Sequence, residues 1–146
     1  MARGYPDFFG FSTFLKFGAL TWVTYGDVLV VPGATVTPLD FQMKGKLYSA
    51  MFEFLPWTWG LVDLDLSLSV DGGPADTWSP FALQNHNLVK AQDNWVHLTE
   101  INREALRITC ACSLEITFDS SFTVTFTNNT LFNCDVGARA YVARII

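Results

Sequence analysis

The sequence predicts an all-β protein: an antiparallel β-sandwich of the jelly-roll type, preceded by an extended N-terminal arm. Between residues 61 and 70, Val and Leu alternate with Asp and Ser, as on a strand with one buried and one solvated face. Phe122, Val124 and Phe126 alternate with threonines in the same way. No long segment shows the 3.6-residue period of a helix. About eight strands are therefore expected, at the short intervals typical of sandwiches and jelly rolls.

Turn-forming residues separate the predicted strands. Asp71-Gly72-Gly73-Pro74 ends the first of these strands, and Asn128 and Asn129 mark a later turn. Asp119-Ser120-Ser121 predicts a hairpin between the strand before it and the strand at 122–127. Only weak helical potential is found, between residues 81 and 105. The remaining strands are expected at residues 20–25, 28–31, 46–55, 95–99, 106–118 and 138–146.

Length and composition favour one domain that contacts other subunits. A chain of 146 residues has the usual size of a single domain, which we place at residues 19–146 with the arm at 1–18. Half of the residues are hydrophobic and only 16% are charged, against about 25% in an average soluble domain. Such a surplus of apolar surface predicts subunit contacts.

The charge pattern and hydropathy exclude two classes of partner. The net charge is −5, and Lys and Arg are scattered singly, so no basic face is available to bind nucleic acid. The longest apolar run, near 28–31, is far shorter than the roughly 20 residues that cross a bilayer, so no membrane association is expected. Residues 1–7 contain Pro and Asp where a signal peptide would be apolar, which predicts synthesis in the cytoplasm without classical secretion.

The cysteines and histidines predict neither a disulfide framework nor a metal site. Cys110, Cys112 and Cys134 are odd in number, and buried free thiols are the favoured interpretation. A link from Cys134 to either of the other two is the alternative. His86 and His97 lack the spacing of zinc ligands. We expect no metal and no cofactor.

Catalytic motifs are absent as well, so the protein is not expected to be an enzyme and no catalytic residue is assigned. Asp63 and Asp65 lie on the wet face of a strand, and Glu53 lies on the outer face of another. His97 is interpreted as a packed or edge histidine rather than a general base. A calcium site at the turn near Asp71 is a weaker alternative to an ordinary β-turn.

The segment Pro56-Trp57-Thr58-Trp59-Gly60 is the main candidate for ligand binding. Pro and Gly place it in a loop between strands, and exposed Trp rings stack on sugars or anchor protein contacts. The alternative is that Trp57 or Trp59 covers one end of the sandwich. Asn128-Asn129-Thr130 matches the glycosylation pattern but is interpreted as a turn.

The N-terminal arm is the main candidate for subunit contacts. It is rich in aromatic residues but broken by Gly and Pro, so it is too apolar to remain solvated and too broken for an ordinary helix. It could add a strand to a neighbouring subunit or place its rings in a groove. A contact within its own chain is the alternative. The predicted contact residues are Tyr5, Phe8, Phe9, Phe11, Phe14 and Phe17.

Three segments carry a resemblance to a known class of proteins. They are Arg3-Gly4-Tyr5-Pro6-Asp7-Phe8-Phe9-Gly10, Val70-Asp71-Gly72-Gly73 and residues 121–130. With them the chain resembles small β-sandwich structural proteins from the virions of tailed viruses, of the capsid decoration, tail or fibre type. The resemblance implies self-assembly into a homo-oligomer, often a trimer, with other virion proteins as partners. It also implies location in the virion, and it implies no catalytic residue.

Overall fold

The computed structural model describes residues 17–18, 20–59, 63–90 and 94–146. The described chain forms ten strands and one short helix. In chain order they are β1 (Thr21–Val30), β2 (Thr35–Phe41), β3 (Gly45–Pro56), β4 (Leu64–Val70), β5 (Asp76–Trp78), α1 (Pro80–Asn85), β6 (His97–Asn102), β7 (Arg107–Cys112), β8 (Ile116–Phe118), β9 (Phe122–Asn128) and β10 (Cys134–Arg144).

The strands form two antiparallel sheets, which confirms the all-β prediction. The first sheet has the order β1-β10-β3-β7-β6, and β8 also pairs with β3, beside β7. The second sheet has the order β2-β9-β4-β5. Both sheets join strands that are distant in sequence: β1 pairs with β10 and β2 pairs with β9. Local sequence therefore does not determine the neighbours of most strands.

One hydrophobic core is shared by the two sheets. Phe52 and Phe54 of β3 and Val124 and Phe126 of β9 are all almost completely buried. The rings of Phe54 and Phe126 stack at 5.0 Å between centroids, with 16° between their planes. This contact joins the middle of one sheet to the middle of the other, and such aromatic pairs stabilise a core beyond the burial of their area.

A second aromatic cluster lies near the edge formed by β2. Phe41 packs 6.3 Å from Phe118 of β8 and 6.1 Å from Phe122 of β9. Phe118 and Phe122 lie 5.5 Å from each other. Because the three rings come from both sheets, this cluster closes the core beside the last residue of β2.

The periodicity located most strands correctly. The strands expected at 46–55 and 122–127 are β3 and β9, and the alternating segment before the Asp71 turn is β4 from residue 64 onward. Residues 61 and 62 lie outside the described residues. The segments at 20–25 and 28–31 are one strand, β1, whose register shifts between Tyr25 and Val28. An inserted bulge of this kind interrupts alternation without ending the strand.

Other strand boundaries differ from the prediction. The segment at 106–118 is two strands, β7 and β8, that pair with different parts of β3. The strand predicted at 95–99 is β6, which begins later, at His97. The strand predicted at 138–146 is β10, which begins earlier, at Cys134. The sequence prediction missed β2 and β5. In β2, Pro38 interrupts the strand pattern, and a proline is tolerated there because β2 is an edge strand; β5 has only three residues.

The predicted hairpin at Asp119-Ser120-Ser121 is wrong. β8 pairs with β3 in the first sheet, whereas β9 pairs with β2 and β4 in the second. The three residues therefore cross from one sheet to the other. Short turn-forming residues between two strands are typical of a hairpin, but they specify only a change of direction and not the partner of either strand.

The short helix α1 follows local capping rules. The Ser79 side chain accepts a hydrogen bond from the Ala82 N–H at 3.1 Å, and Pro80 occupies the first helical turn. The helix ends at Asn85, at the first of the Asn residues that weaken the helical pattern. Among the described residues, no helix has the length and hydrophobicity needed to cross a membrane.

Candidate assembly site

All six predicted subunit-contact residues belong to the arm, and five of them, Tyr5, Phe8, Phe9, Phe11 and Phe14, lie outside the described residues. Phe17 is described and is 41% exposed. It therefore shows where the arm joins the first sheet.

The chain joins the first sheet at Phe17 and Gly18. Phe17 forms an antiparallel bridge with Ile145, and the Gly18 N–H donates to the Arg144 carbonyl at 2.6 Å. These contacts lie just before β1 and at the end of β10, beside the ladder that pairs the two strands. Phe17 and Gly18 therefore lie at the same edge of the first sheet as β1.

That edge is open in the described chain. β1 is the last strand of its sheet and pairs only with β10. β2 is likewise the last strand of the second sheet and pairs only with β9. An edge strand presents backbone N–H and C=O groups that can pair with an added strand.

An apolar groove lies between the two edge strands. We call it the edge groove. It has a volume of about 420 Å³, and residues of both sheets line it. Its walls include Val23 of β1, Val142 of β10, Phe41 of β2 and Met43 after β2, with Gly18 at one side.

The edge groove opens directly onto the core. Phe41, which lines it, is 9% exposed and belongs to the cluster with Phe118 and Phe122. Val23 and Met43 are only half-buried and pack against the core from the groove side. An apolar side chain placed in the groove would therefore continue the core rather than cover a polar surface.

A second apolar surface lies at the loops between strands. We call it the loop-end patch; it consists of Val31, Trp57, Leu131 and Phe132, which are 50%, 57%, 78% and 47% exposed. The loops are tied together by Asn128, whose side-chain amide donates to the carbonyls of Val30 and Phe132 at 2.9 and 2.8 Å.

The two tryptophans of the predicted ligand site have different environments. Trp57 is exposed, and its indole N–H donates to Asp135 at 3.1 Å. Trp59 is half-buried: its ring packs edge-on to Phe81 at 6.3 Å, and the Arg103 guanidinium lies 5.6 Å from its centroid. Trp59 thus covers part of the core, while Trp57 offers an exposed ring.

A polar depression lies on the outer face of the first sheet. It has a volume of about 340 Å³, and Asp27, Glu53 and Arg139 line it with Gly137 at its base. The bulge in β1 directs the Asp27 carboxylate over Gly137, where an added Cβ would lie 2.7 Å from its oxygen. Glu53 is on the outer face, as its alternation predicts.

The thiols confirm the prediction of free cysteines. Cys110, Cys112 and Cys134 are unpaired and buried. Burial raises the pKa of Cys110 and Cys134 to about 12 and the pKa of Cys112 to about 11. Nucleophilic cysteines need a lowered pKa and access to solvent, so these thiols have the properties of core residues.

The other residues considered for catalysis or metal binding pack or form hydrogen bonds within the protein. His97 is buried, 7% exposed, on the edge strand β6, as expected for a packed histidine. Asp65 accepts a hydrogen bond from the Asn129 side chain at 2.8 Å. Among the described residues, no group of three or more His, Cys, Asp or Glu side chains has the arrangement of a metal site.

The turn at Asp71 is a β-turn that holds a neighbouring loop. Gly73 donates its N–H to the Val70 carbonyl at 3.0 Å, and the Asp71 carboxylate accepts from the backbone of residues 119–121. Hydrogen bonds with these three amides lower the pKa of Asp71. The Asp71 carboxylate therefore bonds to a loop of its own chain.

The Asn128-Asn129-Thr130 segment, predicted to be a turn, lies at the end of β9: Asn128 is the last residue of that strand, and the chain bends at Thr130. Asn128 is completely buried, and its carbonyl oxygen accepts from the N–H and hydroxyl of Thr130. Because both ends of its side chain are bonded inside the protein, Asn128 is not presented as a glycosylation acceptor.

Comparison with protein-family models and with curated proteins gave no match to this chain. The candidate site is therefore defined by its geometry. From the sequence we predicted the arm, Trp57 and Trp59 as candidates, but not the edge groove. The groove depends on β2, whose strand pattern is interrupted at Pro38, and on the pairing of β1 with β10 across more than a hundred residues.

Proposed function

We propose that this protein is a self-assembling structural protein of a virus particle, built on a jelly-roll sandwich. The order of the strands supports the jelly-roll part of this proposal. A jelly roll has eight strands in two sheets, with the first strand beside the last and the second beside the one before the last. The sets β1-β10-β3-β7 and β2-β9-β4-β5 have this order, with β6 and β8 as additions to the first sheet.

Jelly rolls occur in viral capsid proteins, lectins and cupins, so the fold alone does not select a function. Two features favour assembly. The chain before Phe17 is rich in Phe and reaches the sheet at an open edge. The loop-end patch adds exposed Trp57, Leu131 and Phe132 at a second place on the surface. Large exposed apolar patches are uncommon in monomers and mark interaction sites.

The role in the particle follows from the same features together with the resemblance to virion proteins. The arm contacts another copy of the chain, so the protein forms a homo-oligomer, a trimer being the form that the resemblance implies. The loop-end patch is then available to other virion proteins. No catalytic role is assigned. The same two contact surfaces, the arm and the loop-end patch, would serve a capsid decoration, tail or fibre protein.

The mass of the full-length protein in solution tests the proposal. We expect light scattering to give a multiple of the 16.3 kDa chain mass and electron microscopy to show a closed, symmetric particle. A full-length variant with Phe8, Phe9, Phe11 and Phe14 replaced by Ser is expected to fold but not to assemble. A monomeric wild-type protein at high micromolar concentration would contradict the proposal, as would normal assembly of the variant.

A glycan-binding module is the second candidate function. The observation that favours it is the exposed ring of Trp57, whose orientation is fixed by the hydrogen bond with Asp135. Trp59, half-buried against Phe81, would support the loop rather than stack on a ligand. A glycan-array signal that is lost in Trp57→Ala and kept in Trp59→Phe would favour this function; an array without signal for the wild-type protein would remove it.

A further inference from the structure

We propose that the edge groove is the acceptor site for residues 9–11 of a second copy of this chain. This inference rests on the proposed function, because it names the partner and the contact surface of the assembly. The arm segment adds a strand to β1, and the rings of Phe9 and Phe11 enter the groove between the sheets.

The position and chemistry of the edge groove fit such a segment. Within the described ranges β1 is an edge strand that pairs with β10, and the groove lies beside it, so a strand added to β1 would run along the mouth of the groove. In strand addition, the backbone provides affinity and pockets for alternate side chains provide specificity. The groove is lined mainly by apolar side chains, Val23, Phe41, Met43 and Val142, so its occupant must be apolar.

The spacing of the arm residues matches this geometry. Side chains two apart on a strand point to the same face, about 6.6 Å from each other. Phe9 and Phe11 have this spacing, and Gly10 between them carries no side chain that would have to face outward. Entering the groove, the two rings would meet Phe41 and extend its cluster with Phe118 and Phe122.

The direction of the chain favours a second copy over the chain's own arm. From Gly18 toward its C-terminus, the chain runs along the groove past Thr21 and Val23. Phe17 pairs with Ile145 and Thr21 pairs with Val142, so toward its N-terminus the described chain leads away from Val23. To place residues 9–11 in its own groove, the chain would have to reverse direction, and Ser12 is the one turn-favouring residue between positions 11 and 16.

The arm is also long enough to reach a neighbour. Residues 9–11 lie six to eight positions before Phe17, and an extended chain covers at most about 3.3 to 3.6 Å per residue, so they can lie up to roughly 20 to 29 Å from Phe17. A domain of this size has a radius of gyration of about 15 Å. The segment 9–11 can therefore reach a groove on an adjacent copy that packs beside Phe17.

Two full-length variants and their mixture test the proposal. Phe9→Ser with Phe11→Ser removes the occupant, and Met43→Glu places a charge in the acceptor. Each is expected to raise the dissociation constant of the assembly at least about 100-fold in light scattering or sedimentation, since two buried rings are lost. Met51→Glu is the matched control, because Met51 is 55% exposed on the outer face of β3 and lies outside the groove. It is expected to assemble as the wild type does.

Mixing the two variants separates a second copy from the chain's own arm. The Phe9/Phe11 variant retains an intact groove, and Met43→Glu retains an intact arm. If the contact joins two copies, the mixture gives a 1:1 complex that neither variant forms alone. A mixture that stays monomeric would overturn the contact between copies and indicate a contact within the chain.

The remaining outcomes distinguish failure of the groove as acceptor from failure of the proposed function. Normal assembly of Met43→Glu, with loss of assembly in the Phe9/Phe11 variant, would overturn the groove as acceptor but leave the proposed function intact. A monomeric wild-type protein would instead overturn the proposed function. If Met43→Glu does not fold, as judged by circular dichroism, Thr21→Phe takes its place, because it fills the groove from its own wall. Normal assembly of folded Thr21→Phe would equally overturn the proposal.

Discussion

The carboxylate of Asp71 accepts the backbone N–H of Ser120 at 2.7 Å, across 49 residues of sequence. The same oxygen accepts from Asp119 at 2.9 Å and from Ser121 at 3.1 Å. The Asp71 N–H in turn donates to the Ser121 carbonyl. The turn after β4 thereby holds the connection through which the chain crosses from the first sheet to the second.

We expect Asp71→Asn to lower stability in a pH-dependent way. Hydrogen bonds with the three amides lower the pKa of Asp71, so the folded state favours the ionised form. Its contribution is fully present above the carboxyl's unfolded pKa, near 4, and is lost as pH falls through the lower folded pKa. Urea midpoints of wild type and variant should therefore differ at pH 6 and converge toward pH 2. Asp119→Asn is the control, and an equal difference at both pH values would contradict this role.

Replacing Asn128 by Ala is expected to reduce the free energy of unfolding by about 1–3 kcal/mol or more. The change leaves the carbonyls of Val30 and Phe132 without the Asn128 donor, next to the Thr130 turn. Urea denaturation measures the loss. Asn129→Ala is the matched control, since Asn129 is exposed and its amide bonds only the Asp65 side chain. Equal effects of the two substitutions would show that burial of Asn128 is unimportant.

Gly45→Ala should destabilise the protein by about 1–3 kcal/mol, the usual effect of overpacking a core. An added Cβ would lie 2.8 Å from the Ala143 carbonyl and 2.8 Å from the Phe118 ring, neither of which can move freely. Gly137→Ala is predicted to cost less, because its Cβ would meet the movable carboxylate of Asp27. Thermal unfolding of both variants gives the order; a larger loss for Gly137→Ala would contradict it.

The three cysteines should resist alkylation in the folded protein. At pH 8 a thiol of pKa about 12, as in Cys110 and Cys134, is ionised in only about one molecule in ten thousand. We expect iodoacetamide to leave all three unmodified under native conditions and to modify all three in urea, as mass spectrometry would record. Rapid native labelling of any one would show that it is accessible.

The same raised pKa values predict sensitivity to alkali. A thiol whose folded pKa exceeds its unfolded value of about 8.5 stabilises the folded state below that value. This contribution decreases as pH rises toward 11 and 12, the folded values of Cys112 and of the other two thiols. Replacing Cys110 by Ala or Val should reduce the loss of stability between pH 8 and pH 11. If stability fell by the same amount between pH 8 and pH 11 in the variant and in the wild type, this prediction would be contradicted.

Much of the local structure was predictable because strand periodicity is a local property. β3, β4 and β9 follow from alternating residues, and the Asp71 turn follows from Asp-Gly-Gly-Pro. β2 was missed because Pro38 breaks the strand pattern, although an edge strand tolerates it. The hairpin at 119–121 was wrong because the bonds that hold this segment come from Asp71, far away in sequence.

The candidate site was only partly predictable for the same reason. The sequence predicted the Phe-rich arm, Trp57 and Trp59 as candidate contact residues. The difference between Trp57 and Trp59 arises from Phe81 and Arg103, which pack on one ring and not the other. No sequence signal pointed to the edge groove, because its walls come from three separate segments of the chain.

By itself, the sequence determined that the chain forms antiparallel strands with one apolar face each, since alternation decides which side chains can be buried together. Only the tertiary structure decided which strands are neighbours, because β1 with β10 and β2 with β9 are joined by backbone bonds that any sequence can make. That pairing left β1 and β2 as the edges of the two sheets. It thereby placed an apolar groove beside Gly18, where the Phe-rich arm ends.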